Sequence, residues 1–143
     1  MRKLFIVFIT FFLLGGAKDQ TTIKKSIINF DGRKREYYVS LPQNMSKPIP
    51  LIINFHGFSS HAIEQQEFSQ MDNYAHPNGV GVIYPEGINK SWNIGKDMMS
   101  EENDIGFVNA LIDSVTSKYN IDSDRIYACG SVSYTHLTLP TKA

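Results

Sequence analysis

One cysteine, Cys129, stands in the 143 residues, so no internal disulfide can form and stability must come from packing. Cys129 sits in a predicted core strand with nothing cationic adjacent, and reads as a small buried hydrophobe rather than a reactive thiol. Excess charge is also missing. Lysine plus arginine equal aspartate plus glutamate at 14 each, which offers no basic face and excludes nucleic acid as a partner. Internal repeats and low-complexity tracts are absent. Apolar runs long enough to span a bilayer are absent too: the longest, Leu4 to Leu14, is too short for a stable anchor.

That run follows Arg2 and Lys3 and precedes Gly15-Gly16-Ala17, the arrangement of an export signal. Residues 1–17 are therefore expected to be a signal peptide cleaved after Ala17, with secretion or periplasmic delivery and no stable membrane association afterwards. An uncleaved anchor is the alternative. Without the leader the net charge is −2. With 42% hydrophobic and 20% charged residues, the remainder has the balance of one modest globular domain.

Thr22 to Phe30 and Arg35 to Leu41 read as paired strands around Asp31-Gly32, a tight-hairpin signal. Pro42 to Pro50 is a loop. Leu51 to Phe55 is an almost continuous apolar run, as in a strand covered on both faces. Ile63, Glu67/Phe68, Met71 and Tyr74/Ala75 recur at helical spacing, ending near Pro77-Asn78-Gly79. Val80 to Tyr84 is the next buried strand, and Glu86 to Glu102 a long polar loop. Asp104 to Tyr119 is the clearest helix, with Ile105, Val108, Leu111, Ile112, Val115 and Tyr119 in one stripe and Asn103 or Asp104 as cap. Arg125 to Cys129 is a third buried strand. The alternation predicts a three-layer α/β fold, its sheet mainly parallel and opened by an antiparallel hairpin.

In such sheets, sites form at the carboxyl ends of strands. Two ends stand out: His56-Gly57-Phe58 and Gly130. A nucleophile on a tight strand-to-helix turn attacks an ester carbonyl, and N–H groups from the loop after an earlier strand hold the developing oxyanion. Gly57 lets that loop approach closely. Histidines 56, 61 and 76 lack the spacing of a metal-ligand set. Asp97, Glu101, Glu102 and Asp104 read as a solvated loop leading to a helix start. Neither a metal nor a cofactor is expected. Trp92, the single tryptophan, is a candidate for stacking on a sugar or aromatic acid, or for packing its loop.

Leu51 to Gly57, Val82-Ile83-Tyr84-Pro85-Glu86-Gly87, Ser91-Trp92-Asn93, Asp104-Ile105-Gly106-Phe107-Val108 and Ile121 to Gly130 occur in order. Over Arg35 to Gly130 the chain resembles the polyhydroxybutyrate depolymerase and feruloyl-esterase group of secreted α/β-hydrolases. The resemblance implies a serine esterase acting on feruloyl or acetyl cell-wall esters or short polyhydroxyalkanoates. It assigns His56, Gly57 and Phe58 to the oxyanion loop and Gly130 to the start of the nucleophile elbow. His56 then shapes the loop and is not the general base, because in this family acid and base follow the nucleophile along the chain.

The pattern departs from the family after Gly130. An elbow requires Ser at position 132 and Gly at 134, where Val132 and Tyr134 stand; Ser131 and Ser133 flank the required place and match neither. The tail from Val132 to Thr141 resembles one reading frame of a transposon-type sequencing adapter. Residues 18–130 are thus expected to be the N-terminal half of a hydrolase domain and 131–143 a non-native tail, a genuinely divergent C-terminus being the alternative. On this reading the parent is an esterase on small-molecule or polymeric esters. The chain as written would lack the nucleophile, and its strand at 125–129 would be left with an open edge. Two further readings stay open: a non-catalytic binding or adhesion domain of hydrolase type, and a peptidase on the same fold.

Overall fold

The computed structural model describes residues 22–93 and 101–131. The leader through Ala17, Asp97 of the acidic loop and the tail residues Val132, Ser133 and Tyr134 lie outside these.

Strands β1 (Ile23–Phe30) and β2 (Arg33–Ser40) pair antiparallel across Asp31 and Gly32. Both turn residues have positive φ, at 51° and 72°, as a two-residue turn matching strand twist requires. β2 then pairs antiparallel with β4 (Gly81–Pro85). β4 runs parallel to β3 (Ile49–Phe55), and β3 parallel to β5 (Ile121–Gly130). The order across the sheet is β1-β2-β4-β3-β5. Non-consecutive neighbours mark crossovers, and the helices they carry cover both faces.

Residue alternation along β4 shows the layers. Ile83 faces a core with Leu51, Ile53 and Phe55 of β3 and Phe107, Val108, Leu111 and Val115 of α3 (Asp104–Lys118). Val82 and Tyr84 face the other way, against Ala62 of α1 (Ala62–Ser69) and Ala75 of α2 (Asp72–Ala75). The three-layer α/β arrangement expected from the sequence is present.

Local expectations are corrected in the first helical segment, in α3 and in β5. The helix expected around Ile63–Ala75 is broken: Gln70 adopts a left-handed conformation, φ 45°, between α1 and α2, and a 3₁₀ turn at His76–Asn78 follows. Its apolar stripe is buried only in part: Ala75 and Met71 pack with Val82 and Tyr84, while other members turn out. Phe68 is 85% and Tyr74 74% exposed, whereas Ala62 and Gln65 are buried. The interface also carries polar pairs: Gln65 Nε2 donates to Asn54 Oδ1 (3.0 Å) and Asn54 Nδ2 to Ser69 Oγ (3.1 Å). On α3, Phe107 takes the place assigned to Ile105, which is exposed; Asn103 is the cap, accepting from Gly106 N–H.

The last correction concerns β5. It is not a buried strand. It forms the sheet edge, pairing only with β3 among the described residues, and Cys129 is exposed although partial burial still raises its thiol pKa. Its ladder is also interrupted: Ile49 pairs with Ile121, but Leu51 pairs with Ile126. The extra residues bulge outward, tied by Arg125 to Asp122 (2.6 Å) and to the Pro48 carbonyl.

Candidate active site

The parallel register brings the ends of β3 and β5 to one rim. Phe55 stands opposite Gly130, and Ser131 N–H donates to the Phe55 carbonyl at 3.2 Å, extending the ladder one residue. A Cβ on Gly130 would lie 2.8 Å from the Phe55 carbonyl oxygen. A Cβ on Gly57 would lie 3.2 Å from both Cβ and Oγ of Ser131. Glycine at position 130 is a condition of the close approach, and a side chain at 57 would require Ser131 to give by a few tenths of an ångström. The loop after β3 thereby lies against the residue that follows β5.

The chain turns sharply after Gly57. Ser60 N–H donates back to the Gly57 carbonyl (3.2 Å), with Ser59 at φ 64°. Phe58 rides the outside of this turn with 54% of its surface exposed. Among the described residues its N–H meets no backbone acceptor.

His56 is fully buried behind the turn and bridges two loops. Gly87 N–H donates to Nε2 (2.9 Å), which places the ring proton on Nδ1, where it donates to the Gly57 carbonyl (2.8 Å). Burial, the largest influence, pushes the imidazole below its ordinary pKa, against the opposing pull of the Gly57 carbonyl and Glu86. A neutral imidazole whose two nitrogens are both committed to backbone groups cannot take a proton from a nucleophile. It can hold Gly57 in place.

Glu86, at the end of β4, organises the same region. Its carboxylate accepts from His61 Nδ1 (3.0 Å) and from Ala62 N–H (2.8 Å), placing negative charge at the start of α1. Ser59 N–H donates to the Lys90 carbonyl (2.9 Å). The strand-end loops of β3 and β4 are thus stitched together.

Trp92 contradicts the substrate-contact reading. It is 1% exposed, packed edge-on against Phe55 and stacked near Phe107, and its indole N–H donates to the His56 carbonyl (3.2 Å). Its large apolar ring stabilises more inside the core than on a wet loop. Asp104 contradicts the solvated-loop reading. Its carboxylate is buried, pairs with Arg35 (2.7 Å), and accepts from Asn93 N–H (2.7 Å), fixing the backbone next to Trp92. The Arg35 guanidinium lies 3.8 Å from the Phe107 ring centroid. This ion pair had no signal in the sequence, because its members are 69 positions apart. The aspartate at a helix start has a local explanation that conceals the distant one.

Among the described residues no cluster of three or more His, Cys, Asp or Glu can hold a metal. Position 132, where the nucleophile is expected, lies beyond them.

No protein-family profile matches the chain. Among curated proteins, it is 30% identical over 101 residues to a bifunctional acetylxylan esterase/xylanase of Neocallimastix patriciarum, covering 69% of this chain and 14% of that one. It is 31% identical over 102 residues to feruloyl esterase B of Piromyces equi, covering 67% and 19%. The chain spans between 14% and 35% of the length of the curated relatives it matches. Among solved structures, it superposes on an acetyl xylan esterase from Aspergillus awamori with TM-score 0.66 and 16% identity, over 77% of this chain and 42% of that one. It also superposes on the S-formylglutathione hydrolase FrmB of Staphylococcus aureus, with TM-score 0.63, 17% identity and coverage of 77% and 47%. The superpositions carry the fold, and the esterase relatives align with about two thirds of this chain. The chain belongs to the esterase-like α/β-hydrolases.

Proposed function

We propose that the parent protein is a secreted serine esterase that cleaves carboxylic esters through an acyl-enzyme, its substrates being feruloyl or acetyl esters of plant cell walls or short polyhydroxyalkanoates. The observation that carries this reading is the packing of Gly57 against Ser131 at one rim of the sheet. A carbonyl bound there would meet the Phe58 N–H from one side and an attacking hydroxyl at the following position from the other. Oxyanion stabilisation of this kind is worth about 2.7–4 kcal/mol per donor. The wall formed by His56, Gly87 and Trp92 holds the donor before substrate arrives, so no reorganisation is needed during reaction. Relatives named as acetylxylan and feruloyl esterases support the substrate class.

On this proposal the chain as written is the N-terminal half of the hydrolase domain. Val132 occupies the nucleophile's place, and acid and base belong to sequence downstream of it. The chain is then expected to hydrolyse p-nitrophenyl acetate no faster than a denatured control. The protein from the recovered full gene, with Gly-x-Ser-x-Gly at 130–134, is expected to turn over p-nitrophenyl acetate and methyl ferulate and to lose that activity on Ser→Ala at 132. Turnover by the 143-residue chain itself would overturn the assignment of position 132. A second reading, a non-catalytic binding module of the same fold, is favoured by Val132 itself. An intact downstream half that still lacks the elbow would select it.

A further inference from the structure

Of the five backbone N–H groups from Phe58 to Ala62, four are taken. Ser59 N–H donates to the Lys90 carbonyl (2.9 Å), Ser60 N–H to the Gly57 carbonyl (3.2 Å), His61 N–H to Glu64 Oε2 (3.0 Å) and Ala62 N–H to Glu86 Oε2 (2.8 Å). Phe58 N–H alone meets no acceptor among the described residues. Its direction is set by whatever holds the turn. We propose that Glu86 is a positioning residue for ester cleavage: its carboxylate ties the far foot of the turn to the end of β4 and so fixes where the Phe58 N–H points. The inference rests on the esterase reading of this rim.

Three features of Glu86 point there. The first is its root. It follows Pro85, the last residue of β4, a strand buried along its whole length. Its own N–H donates to the Glu36 carbonyl of β2 (3.0 Å). The carboxylate therefore reaches out from the rigid centre of the sheet. Glu64, which bonds Ser60 Oγ (2.8 Å), is an exposed residue of α1 itself. It moves with the helix start and cannot anchor the turn to the sheet.

The second is the use of both oxygens. Oε1 accepts from His61 Nδ1 (3.0 Å) while Oε2 accepts from Ala62 N–H. Oε1 also lies 3.7 Å from His56 Nε2, so the carboxylate stands between the two histidines that bracket the turn. His56 holds the near foot through the Gly57 carbonyl, and Glu86 holds the far one. The Glu86 side chain is only 20% exposed, and hydrogen bonds to a charged acceptor strengthen as water is excluded.

The third is that the turn does not hold itself. Ser59 has φ 64°, and the Lys90 whose carbonyl it meets has φ 58°, next to Asn89 at 52°. Three non-glycine residues in the left-handed region meet at one hydrogen bond, and such backbone persists only where surrounding contacts over-determine it. Releasing one foot therefore lets the donor drift. A misplacement of about 1 Å at a reacting centre costs about 10²-fold in rate.

Steady-state kinetics of the full-gene protein on p-nitrophenyl acetate test this. The donor acts on charge that develops in the transition state, so Glu86→Ala is expected to lower kcat at least about tenfold with KM within about twofold. Glu86→Ala also uncaps α1, so His61 supplies a second pair of variants that spares the fold, its side chain being 41% exposed. His61→Ala removes the Nδ1 donor and is expected to lower kcat about tenfold. His61→Asn places an amide donor near the same position and is expected to recover most of that loss. Wild-type turnover with kcat unchanged in both alanine variants, a rise in KM alone, or no recovery in His61→Asn overturns the positioning role and leaves the esterase reading. Absence of turnover by the wild-type full-gene protein overturns the esterase reading instead. The clamp is then read in the ¹⁵N-labelled 143-residue chain, where His61→Ala is expected to shift the Phe58 and Ser59 amide resonances; unmoved resonances overturn it there as well.

Discussion

At the scale of single residues, His56 shows how burial assigns a role. An imidazole in an open cleft is a proton carrier; the same ring enclosed, with Gly87 N–H on one nitrogen and the Gly57 carbonyl on the other, is a spacer between loops. Its pKa lies below the ordinary 6.5, so the unfolded chain binds the proton more readily. The contribution of His56 is therefore complete above pH 6.5. It falls as pH drops through the window beneath, until the folded imidazole is protonated as well. Urea midpoints measured from neutral to mildly acidic pH should show this fall, and His56→Gln should flatten it. An unchanged slope in the variant would refute the bridging role.

The two glycines of the rim give a graded test at the same scale. Gly130→Ala drives a Cβ to 2.8 Å from a backbone oxygen that cannot move without breaking the ladder; Gly57→Ala meets the Ser131 side chain at 3.2 Å. Overpacking typically costs about 1–3 kcal/mol, and Gly130→Ala should fall at the upper end with Gly57→Ala below it. Denaturant titration of both variants checks the order.

At the scale of elements, the pair Arg35 and Asp104 joins β2 to α3 and reaches the Trp92 loop through Asn93. Asp104→Asn leaves the guanidinium buried without its counter-charge, with an expected cost of about 3–5 kcal/mol. Since Trp92 is the single tryptophan, its emission should shift to longer wavelength as the Asn93 anchor weakens. Unaltered emission and stability would show that the loop is held by the indole alone.

α1 and α2 teach a different lesson. A 3.6-residue apolar period signals a buried face only when the partner surface is apolar. Here β3 presents Asn54 and β4 presents Tyr84, whose hydroxyl donates to Asp72 Oδ1 (3.1 Å). The helices answer with Gln65, Ser69 and Asp72 beside Ala62, Met71 and Ala75, and Phe68 and Tyr74 turn outward. α3, which meets the wholly apolar faces of Leu51, Ile53 and Phe55, obeys its stripe at Val108, Leu111 and Val115.

At the scale of the molecule, the described sheet ends on β5, whose outer edge is unpaired and whose open face carries Tyr127. An exposed edge with an aromatic on it recruits further strands. Tyr127→Lys should lower the light scattering of concentrated solutions, and no change would remove β5 as the route of self-association.

The local elements follow from the chain alone. The Asp31-Gly32 turn needs only two residues that tolerate positive φ, the apolar runs of β3 and β4 demand cover on both faces, and Asn103 caps the helix it precedes. These are short-range effects, decided within a few residues of where they act. Tertiary structure decided the rest. It buried Trp92 and Asp104, exposed Cys129, and set Gly57 against Ser131. Each of these depends on partners tens of residues away, whose meeting is fixed by strand order and register, and no local pattern encodes either.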